Sequence, residues 1–366
     1  MILCVNVGSS SARLALFEHG KALAQLHLES SPPSSTALEK WLAPHLPSIG
    51  AVAHRFVHGG DRFTEPTLLT PSVRAELDAL SALAPLHNPP SLALFDLLSR
   101  LLPSRIPHLA IFDTAFHRTM PPHAALYALP ASLGEGLGIR RFGFHGIAHS
   151  ALAQRIQSIR PSRRLITLHL GSGCSACAIL DGVSLDTSMG WSPAEGLMMS
   201  TRSGDLDPTL PAYLAIALQQ TPAQITQLLT QQSGWAGVSG LGTDMRVLLS
   251  SASSNPTGPA ALAIDIFCYR VRKIIGAYAA VLNGLDTLVF SGGIGENAPS
   301  LRARICVDFD WLGLHLDSTA NADASQESWV HTPDSRVAIA VIASAEMHSL
   351  AHVAAQFFSP TSKENS

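Results

Sequence analysis

The sequence is poor in charge. Only 14% of its residues are Asp, Glu, Lys or Arg, the formal net charge is −3, and no basic run occurs anywhere. A chain without a basic stripe has no electrostatic footprint for nucleic acid or an anionic membrane, so neither is expected as a partner. Cysteine is scarce and odd in number: Cys4, Cys174, Cys177, Cys268 and Cys306. That count, without framework spacing, excludes a disulfide scaffold and points to free thiols in a reducing compartment. The one CxxC, Cys174 to Cys177, has no second pair to complete a zinc site. It falls on an expected strand leaving a glycine turn, where core packing accounts for it better than redox chemistry. No apolar run approaches the ~18 residues needed to cross a bilayer. The start, Met1-Ile-Leu-Cys-Val-Asn-Val-Gly8, lacks a basic n-region. No signal peptide is therefore expected, and the cytoplasm is the expected location.

What is present is a globular composition, with 46% hydrophobic residues in 366. That length exceeds what one core usually organises, so two domains are expected. The N-terminal pattern predicts strands over Ile2 to Val7, Arg13 to Phe17 and Lys21 to Leu28, with His19-Gly20 closing a hairpin. A second copy follows: strands over Leu165 to Leu170, Ser175 to Leu180 and Val183 to Thr187, with Asp181-Gly182 as the hairpin signal. A gapless shift of 163 residues lays Asn6 on His169, Gly8 on Gly171 and Leu16 on Ile179. Such a duplication predicts two similar domains facing each other across a cleft. Further strands are expected over Ala51 to Val57, Leu109 to Phe112, Leu285 to Phe290 and Val337 to Ile342. Helices are expected over Pro90 to Leu102, Pro208 to Gln219, Pro222 to Gln231, Ala260 to Leu282 and Glu346 to Phe358.

Three strand-to-turn junctions are rich in Gly and Ser: Asn6 to Ser11, His169 to Ser175 and Ser291 to Asn297. Glycine lets backbone amides approach an anion, and three such loops after core strands suggest a cradled nucleotide. None is a P-loop, and Gly293-Ile-Gly-Glu-Asn297 is not GxGxxG, so a P-loop NTPase and a Rossmann dehydrogenase are both disfavoured. Arg55, Asp113 and Arg202 stand in apolar surroundings near strand ends or glycine turns, which suits bidentate grip of a carboxylate or phosphate. His87 and His145 sit in turns framed by Pro or Gly. Zinc is the competing reading for the histidines. His54 and His58 lie ~13 Å apart on an extended run, too far to share a metal. His145 and His149 could share a helix face but lack the glutamate of HExxH. A phosphoryl-transfer site accounts for the set better.

These motifs resemble those of the acetokinase family, within the superfamily of sugar kinases, heat-shock chaperone ATPases and actin. The likeness runs from about Ile2 to Ala354. It is carried by Asn6-Val-Gly-Ser-Ser-Ser, His54-Arg-Phe-Val-His-Gly-Gly, Ala84-Pro-Leu-His-Asn-Pro, Phe112-Asp-Thr-Ala-Phe-His and Phe142-Gly-Phe-His-Gly. Asp186-Thr-Ser-Met-Gly, Thr201-Arg-Ser-Gly-Asp, Cys268-Tyr-Arg-Val-Arg-Lys and Gly292-Gly-Ile-Gly-Glu-Asn complete it. The resemblance implies an α/β fold of two duplicated ribonuclease H-like (actin-type) domains with an interdomain active-site cleft. The N-terminal domain would be 1–115 plus 347–366, and the nucleotide-binding C-terminal domain 116–346. It implies reversible transfer between ATP and acetate, giving acetyl phosphate and ADP for acetyl-CoA biosynthesis. Mg²⁺ would be the metal, with Mn²⁺ an alternative, and the assembly a homodimer.

By position, the resemblance implies that Arg55 and Arg202 hold the carboxylate and the transferring phosphoryl group. Asp113 would align the reacting groups, and His145 would stabilise the equatorial oxygens. His87 and His169 would line the site, and Asn6 and Arg13 would face the phosphates. Asn6 and Glu346 would organise the metal. Val57, Leu86, Phe144 and Pro193 match the small apolar pocket for the acetate methyl. His169, Gly171, Ser172, Gly173, Asp244, Met245, Arg246, Gly293, Ile294, Gly295 and Asn297 match the ATP site. The chain departs from the family at Arg13 (usually Lys), Ser172 (usually Asn), Ser200 (usually Gly) and Ile147-Ala148 (usually Thr-Ser), and it is shorter before Ala51. Propionate or butyrate kinase is the alternative within the class, and a weakened acyl-phosphate or nucleotide sensor the alternative outside it. Pyrophosphate as donor is disfavoured, because Gly293-Ile294 leaves room where a bulky pair would block adenine.

Overall fold

The computed structural model describes residues 1–8, 11–29, 35–82, 84 and 87–359. The chain divides into two compact units. The first comprises Met1–Arg118, Phe144–Ala151 and the segment from Ala345 onward; the second comprises Thr119–Gly143 and Leu152–Ser344.

In the first unit, β1 (Ile2–Val7), β2 (Ala12–Glu18), β3 (Lys21–Leu28), β4 (Ala51–Phe56), β5 (Thr67–Leu68) and β6 (His108–Phe112) form one sheet, ordered β3-β2-β1-β4-β6-β5. β1 to β3 are an antiparallel meander, β4 and β6 add parallel, and β5 caps the edge antiparallel. His19 and Gly20 turn the second hairpin with φ of 48° and 78°, the left-handed pair that a tight hairpin needs. The inner strands are mostly apolar, with few polar residues, because both faces are covered. Leu3, Val5, Leu14 and Leu16 pack against Leu94 and Leu98 of the helix Asn88–Leu101. From the alternate positions, Cys4, Ala15 and Ala53 pack against Leu350, Ala351 and Ala354 of the helix Glu346–Phe358. Ile147 joins that second cluster. The segment 144–151, expected within the second domain, therefore belongs to the first unit's core.

The second unit repeats this topology strand for strand. β7 (Arg164–Leu170), β8 (Cys174–Leu180), β9 (Val183–Thr187), β10 (Thr287–Ser291), β11 (Glu327–Trp329) and β12 (Ala338–Ile342) are ordered β11-β12-β10-β7-β8-β9. Again a meander is followed by two parallel strands and an antiparallel edge. Each unit is thus a ribonuclease H-like, actin-type α/β domain, and the two are duplicates. The gapless overlay fails in one detail. Asn6 pairs with Arg13 on β2, whereas His169 pairs with Ser175 on β8. The register shift falls after Leu16 in one copy and after Ala178 in the other. Leu16 therefore corresponds to Ala178, not Ile179: residues 8–11 join the first pair of strands, and only 171–173 join the second.

Two further differences touch the site. Gly292–Asn297, expected as a loop, is a short helix, and Gly146–Ile159 is a helix that the sequence pattern did not announce. All five cysteines are buried. Cys174 and Cys177 lie three apart on β8, which sends their side chains to opposite faces of the sheet. Burial pushes both thiols up, Cys174 to about 12, so neither is a reactive thiolate. Among the described residues no helix is long and apolar enough to cross a membrane.

Candidate active site

In the first unit the parallel strands β1, β4 and β6 end side by side. Asn6 is near the end of β1, Arg55 near the end of β4, and Asp113 follows β6, its amide donating to the Phe56 carbonyl at 3.0 Å. Carboxyl ends of strands are where open α/β sheets bind ligands. The side chains form a continuous row. Arg55 donates to Asp113 Oδ2 from Nε at 3.0 Å and Nη2 at 2.5 Å, and to Asn6 Oδ1 from Nη1 at 2.8 Å. Asn6 Nδ2 then donates to Glu346 Oε2 at 2.8 Å, from the first residue of the terminal helix. Burial alone would lower the Arg55 pKa, but the charges of Asp113 and Glu346 outweigh it and raise the value. The Asp113 side chain is fully buried while that of Arg55 keeps 12% exposure, so the guanidinium is the member that a ligand can reach.

His145 adjoins this row through the backbone. Its φ is 56°, an uncommon conformation for a non-glycine residue. The next residue, Gly146, donates its amide to the Asp113 carbonyl at 3.0 Å. A Cβ at Gly146 would collide with that same oxygen, so only glycine lets the corners meet. His145 precedes the helix rather than sharing a face of it with His149. Val57 and Phe144 are buried, and His58 meets the Phe144 ring edge-on at 5.5 Å. Burial pushes His58 and His117 down to about 4, so both are neutral at pH 7. His54 is a core residue, stacked on His108 with Nε2 and Nδ1 2.9 Å apart. Arg13 is exposed and lies directly across the ladder from Asn6. His87 is half-buried at the N-terminus of Asn88–Leu101. Leu86 lies outside the described residues.

In the second unit, His169 is the penultimate residue of β7, and the turn Gly171-Ser172-Gly173 follows that strand, with the Gly171 amide donating to the Gly173 carbonyl at 3.0 Å. Ser172 is bonded twice to Ser200: hydroxyl to hydroxyl at 2.9 Å, and its carbonyl accepts from the Ser200 amide at 3.0 Å. The two family departures are thus one contact, and it joins the glycine turn to the segment that carries Arg202. Arg202 donates from Nη1 to the Pro193 carbonyl at 3.0 Å and reaches Met199 Sδ at 3.5 Å. Among the described residues it has no carboxylate partner. Burial lowers its pKa, with Cys174 acting the other way. The guanidinium is thus half-buried, without an acid among the described residues to neutralise it. Pro193 supplies a carbonyl to that arginine besides its place in the expected methyl pocket.

The expected adenosine residues lie on two helices of this unit. Asp244 caps Met245–Ser254, accepting from the Arg246 amide at 2.9 Å and its guanidinium at 2.7 and 3.0 Å. Those bonds pull its carboxyl down to about 2. Met245 is buried and Arg246 exposed. In Gly292–Asn297, Ile294 and Gly295 are buried, and Asn297 Nδ2 donates to the Gly293 carbonyl at 2.9 Å. A Cβ at Gly293 would meet nothing within 4 Å, so that position borders open space. Arg302 escaped the sequence reading. It is buried and donates to the carbonyls of Gly295 and Glu296 at 2.9 and 2.8 Å, holding the end of the glycine helix. With a second arginine, exposed Arg304, two residues on, no local pattern sets Arg302 apart as the buried one.

The sequence matches the model of the acetokinase family over residues 34–352. The chain belongs to the acetokinase family. It is 45% identical to the acetate kinase of Chloroherpeton thalassium over 285 residues, covering 77% of this chain and 68% of that one. Among solved structures, the acetate kinase of Porphyromonas gingivalis is 36% identical with TM-score 0.89, covering 98% of this chain and 99% of that one. A propionate kinase from Francisella tularensis is likewise 36% identical with TM-score 0.89, covering 96% and 98%. Membership makes this acetokinase-family chain a kinase that transfers phosphate to a carboxylate.

Proposed function

We propose that this enzyme phosphorylates acetate with ATP, reversibly, to give acetyl phosphate and ADP. The observation that carries the reading is the row Glu346–Asn6–Arg55–Asp113 at three adjoining strand ends. Phosphoryl transfer requires little covalent chemistry of the protein; it requires in-line positioning and neutralisation of charge on the equatorial oxygens. Arg55 and Arg202 fit that demand as the two cations that grip carboxylate and phosphoryl oxygens. His145, held at its fixed turn, donates to the equatorial oxygens. Asp113 is fully buried and bonded to Arg55, so it acts through that guanidinium, as a positioning residue. Arg13, His169 and the turn Gly171-Ser172-Gly173 face the phosphates, and Asp244, Met245, Arg246, Gly293, Ile294, Gly295 and Asn297 hold the adenosine.

Glu346 and Asn6 offer a carboxylate and an amide oxygen, both hard donors. Mg²⁺ in nucleotide enzymes is typically bound by one or two carboxylates, with phosphate oxygens and water completing the shell. The donor set therefore fits Mg²⁺ carried on the nucleotide, where it would neutralise phosphate charge. Val57, Phe144 and Pro193 are assigned to the acyl pocket. Each of the two units is read as an acetokinase domain, with the nucleotide assigned to the second. We place the enzyme in the cytoplasm as a homodimer. The second unit presents Tyr213, Ile216, Leu262, Tyr269 and Trp311 to solvent, large apolar side chains of the kind that an interface between copies buries.

Propionate is the competing acceptor, favoured by the likeness to the propionate kinase. One methylene changes binding by only ~1–3 kcal/mol, so kinetics must decide. In a panel of acetate, propionate and butyrate with Mg²⁺ and either ATP or pyrophosphate, we expect acetate with ATP to give the highest kcat/KM. A preference for propionate moves the assignment within the family, and no turnover with any pair supports the sensor reading.

The serine pair has its own consequence. An asparagine at 172 could reach farther toward a phosphoryl oxygen than serine, but Ser200 occupies the adjoining space. Ser172→Asn alone should therefore gain little or lose activity, whereas Ser172→Asn with Ser200→Gly should raise kcat about 10-fold, below the ~10²–10³ of a full preorganised donor. Steady-state rates of the four members of the cycle measure this coupling. Additive effects of the two changes would show that the serines act separately.

A further inference from the structure

Arg202 gives phosphoryl transfer its second cation only if its guanidinium is held still, and its oxygen partner among the described residues is the Pro193 carbonyl. Pro193 lies on the irregular segment between β9 and the helix Leu210–Ala217. No β-ladder therefore holds it, and isolated backbone bonds and side chains do.

Those side chains converge on Glu195. The Tyr127 hydroxyl donates to Glu195 Oε2, and Arg141 Nη2 donates to Oε1 at 2.5 Å. Each partner also grips the loop backbone. The Tyr127 oxygen accepts from the Trp191 amide at 2.7 Å. Arg141 Nη1 donates to the carbonyls of Thr187 and Ser188 at 3.2 and 3.3 Å. The Gly190 carbonyl accepts from the amides of Phe142 and Gly143 at 3.1 and 3.2 Å. Pro193 is thus flanked by two fixed points, Trp191 before it and Glu195 after it. Two glycines allow the fold. A Cβ at Gly190 would collide with the Glu195 carboxylate and the Tyr127 hydroxyl, and one at Gly196, where φ is 97°, with the Ser188 carbonyl. Asp205 closes the far side, accepting from the Gly196 amide at 2.8 Å. The Arg141 and Glu195 side chains are 20% and 28% exposed, so the pair is partly desolvated and its charge-assisted bonds are strong.

We infer that Tyr127, Arg141 and Glu195 form a clamp that positions Arg202 for phosphoryl transfer. The inference rests on the reading of Arg202 as a residue of the transfer step. None of the three is bonded to Arg202 itself. They fix the carbonyl that fixes the guanidinium, so they are positioning residues. A displacement of 1 Å at a reacting group can cost ~10²-fold in rate.

The test uses Tyr127→Phe, which removes one oxygen, and Glu195→Gln, which removes the charge, each alone and with Arg202→Ala. For each protein kcat, both KM values and Tm are measured. We expect both single variants to be folded at the assay temperature, with kcat lowered about 10–100-fold and KM for ATP within about twofold. In the Arg202→Ala background, neither should lower kcat further, because the group they position is gone. Native kcat in both single variants, or an equal further loss without Arg202, overturns the clamp. Full turnover by Arg202→Ala alone would instead overturn the role of Arg202, and the clamp would then have nothing to position.

Discussion

Arg202→Ala is expected to lower kcat about 10³-fold or more while leaving Tm unchanged or raised. The rate follows from the charge that develops during transfer. A guanidinium in a water-poor site stabilises that charge far more than it would in water, and without reorganisation. The stability follows from the surroundings of the arginine. It holds a carbonyl and a sulfur, and among the described residues no carboxylate, and burial already acts against its charged form. Removing a desolvated cation that lacks an acid costs the fold little. A residue that serves function at the expense of stability shows this combination. Arg202→Lys should recover only a small part of the rate, because an ammonium keeps the charge but not the planar fork. Turnover and thermal melts of the three proteins decide the matter. Near-native turnover by Arg202→Ala would make that arginine structural and leave the second unit without its proposed role in the transfer.

The fold was largely legible because its signals are local. Lys21–Leu28, Pro222–Gln231 and Glu346–Phe358 fall where periodicity and turn residues predict them. The duplication was legible too, since a strand–turn–strand–Gly pattern survives even a one-residue slip in the turn. Gly292–Asn297 reads as a loop because glycine has low helix propensity, and the fold makes it helical with Ile294 and Gly295 buried and the carbonyls of Gly295 and Glu296 held by Arg302. Gly146–Ile159 is not announced because it begins after a left-handed histidine, with no Ser, Thr, Asp or Asn just before it in the sequence to signal a cap. In the first unit, Arg55, Asp113 and Asn6 were each visible as polar residues at the ends of apolar runs, and the parallel register then brought them together. What the sequence could not show was coupling over distance. Ser172 and Ser200 read as two independent departures in the sequence, and the fold joins them by two hydrogen bonds. Tyr127 and Glu195 stand 68 residues apart, and no local pattern links them. Asp113 is expected to align the reacting groups, and only the fold shows that it would do so from full burial, bonded to Arg55.

Arg55→Ala should match Arg202→Ala in rate and differ from it in stability. Here the arginine neutralises a fully buried carboxylate, Asp113, and also bonds Asn6. Removing one partner of a buried pair leaves an uncompensated charge, at a typical cost of ~3–5 kcal/mol. We therefore expect kcat to fall ~10³-fold and Tm to fall as well. The two losses are separable. In Arg55→Ala with Asp113→Asn, the buried negative charge is removed as well, so Tm should recover while kcat stays low. Asp113→Asn alone should keep Arg55 present but less firmly oriented, with an intermediate rate loss of about 10²-fold. Glu346 gives a contrasting arm. Glu346→Gln leaves the Arg55–Asp113 pair intact, so its Tm should stay near native, while the Mg²⁺ concentration needed for half-maximal rate rises. Melts and Mg²⁺-dependent kinetics of these four variants separate the pair that builds the row from the residue proposed for the metal. If the double variant recovered turnover along with Tm, Arg55 would be a structural counter-ion to Asp113, and the first unit's role in transfer would pass to other residues.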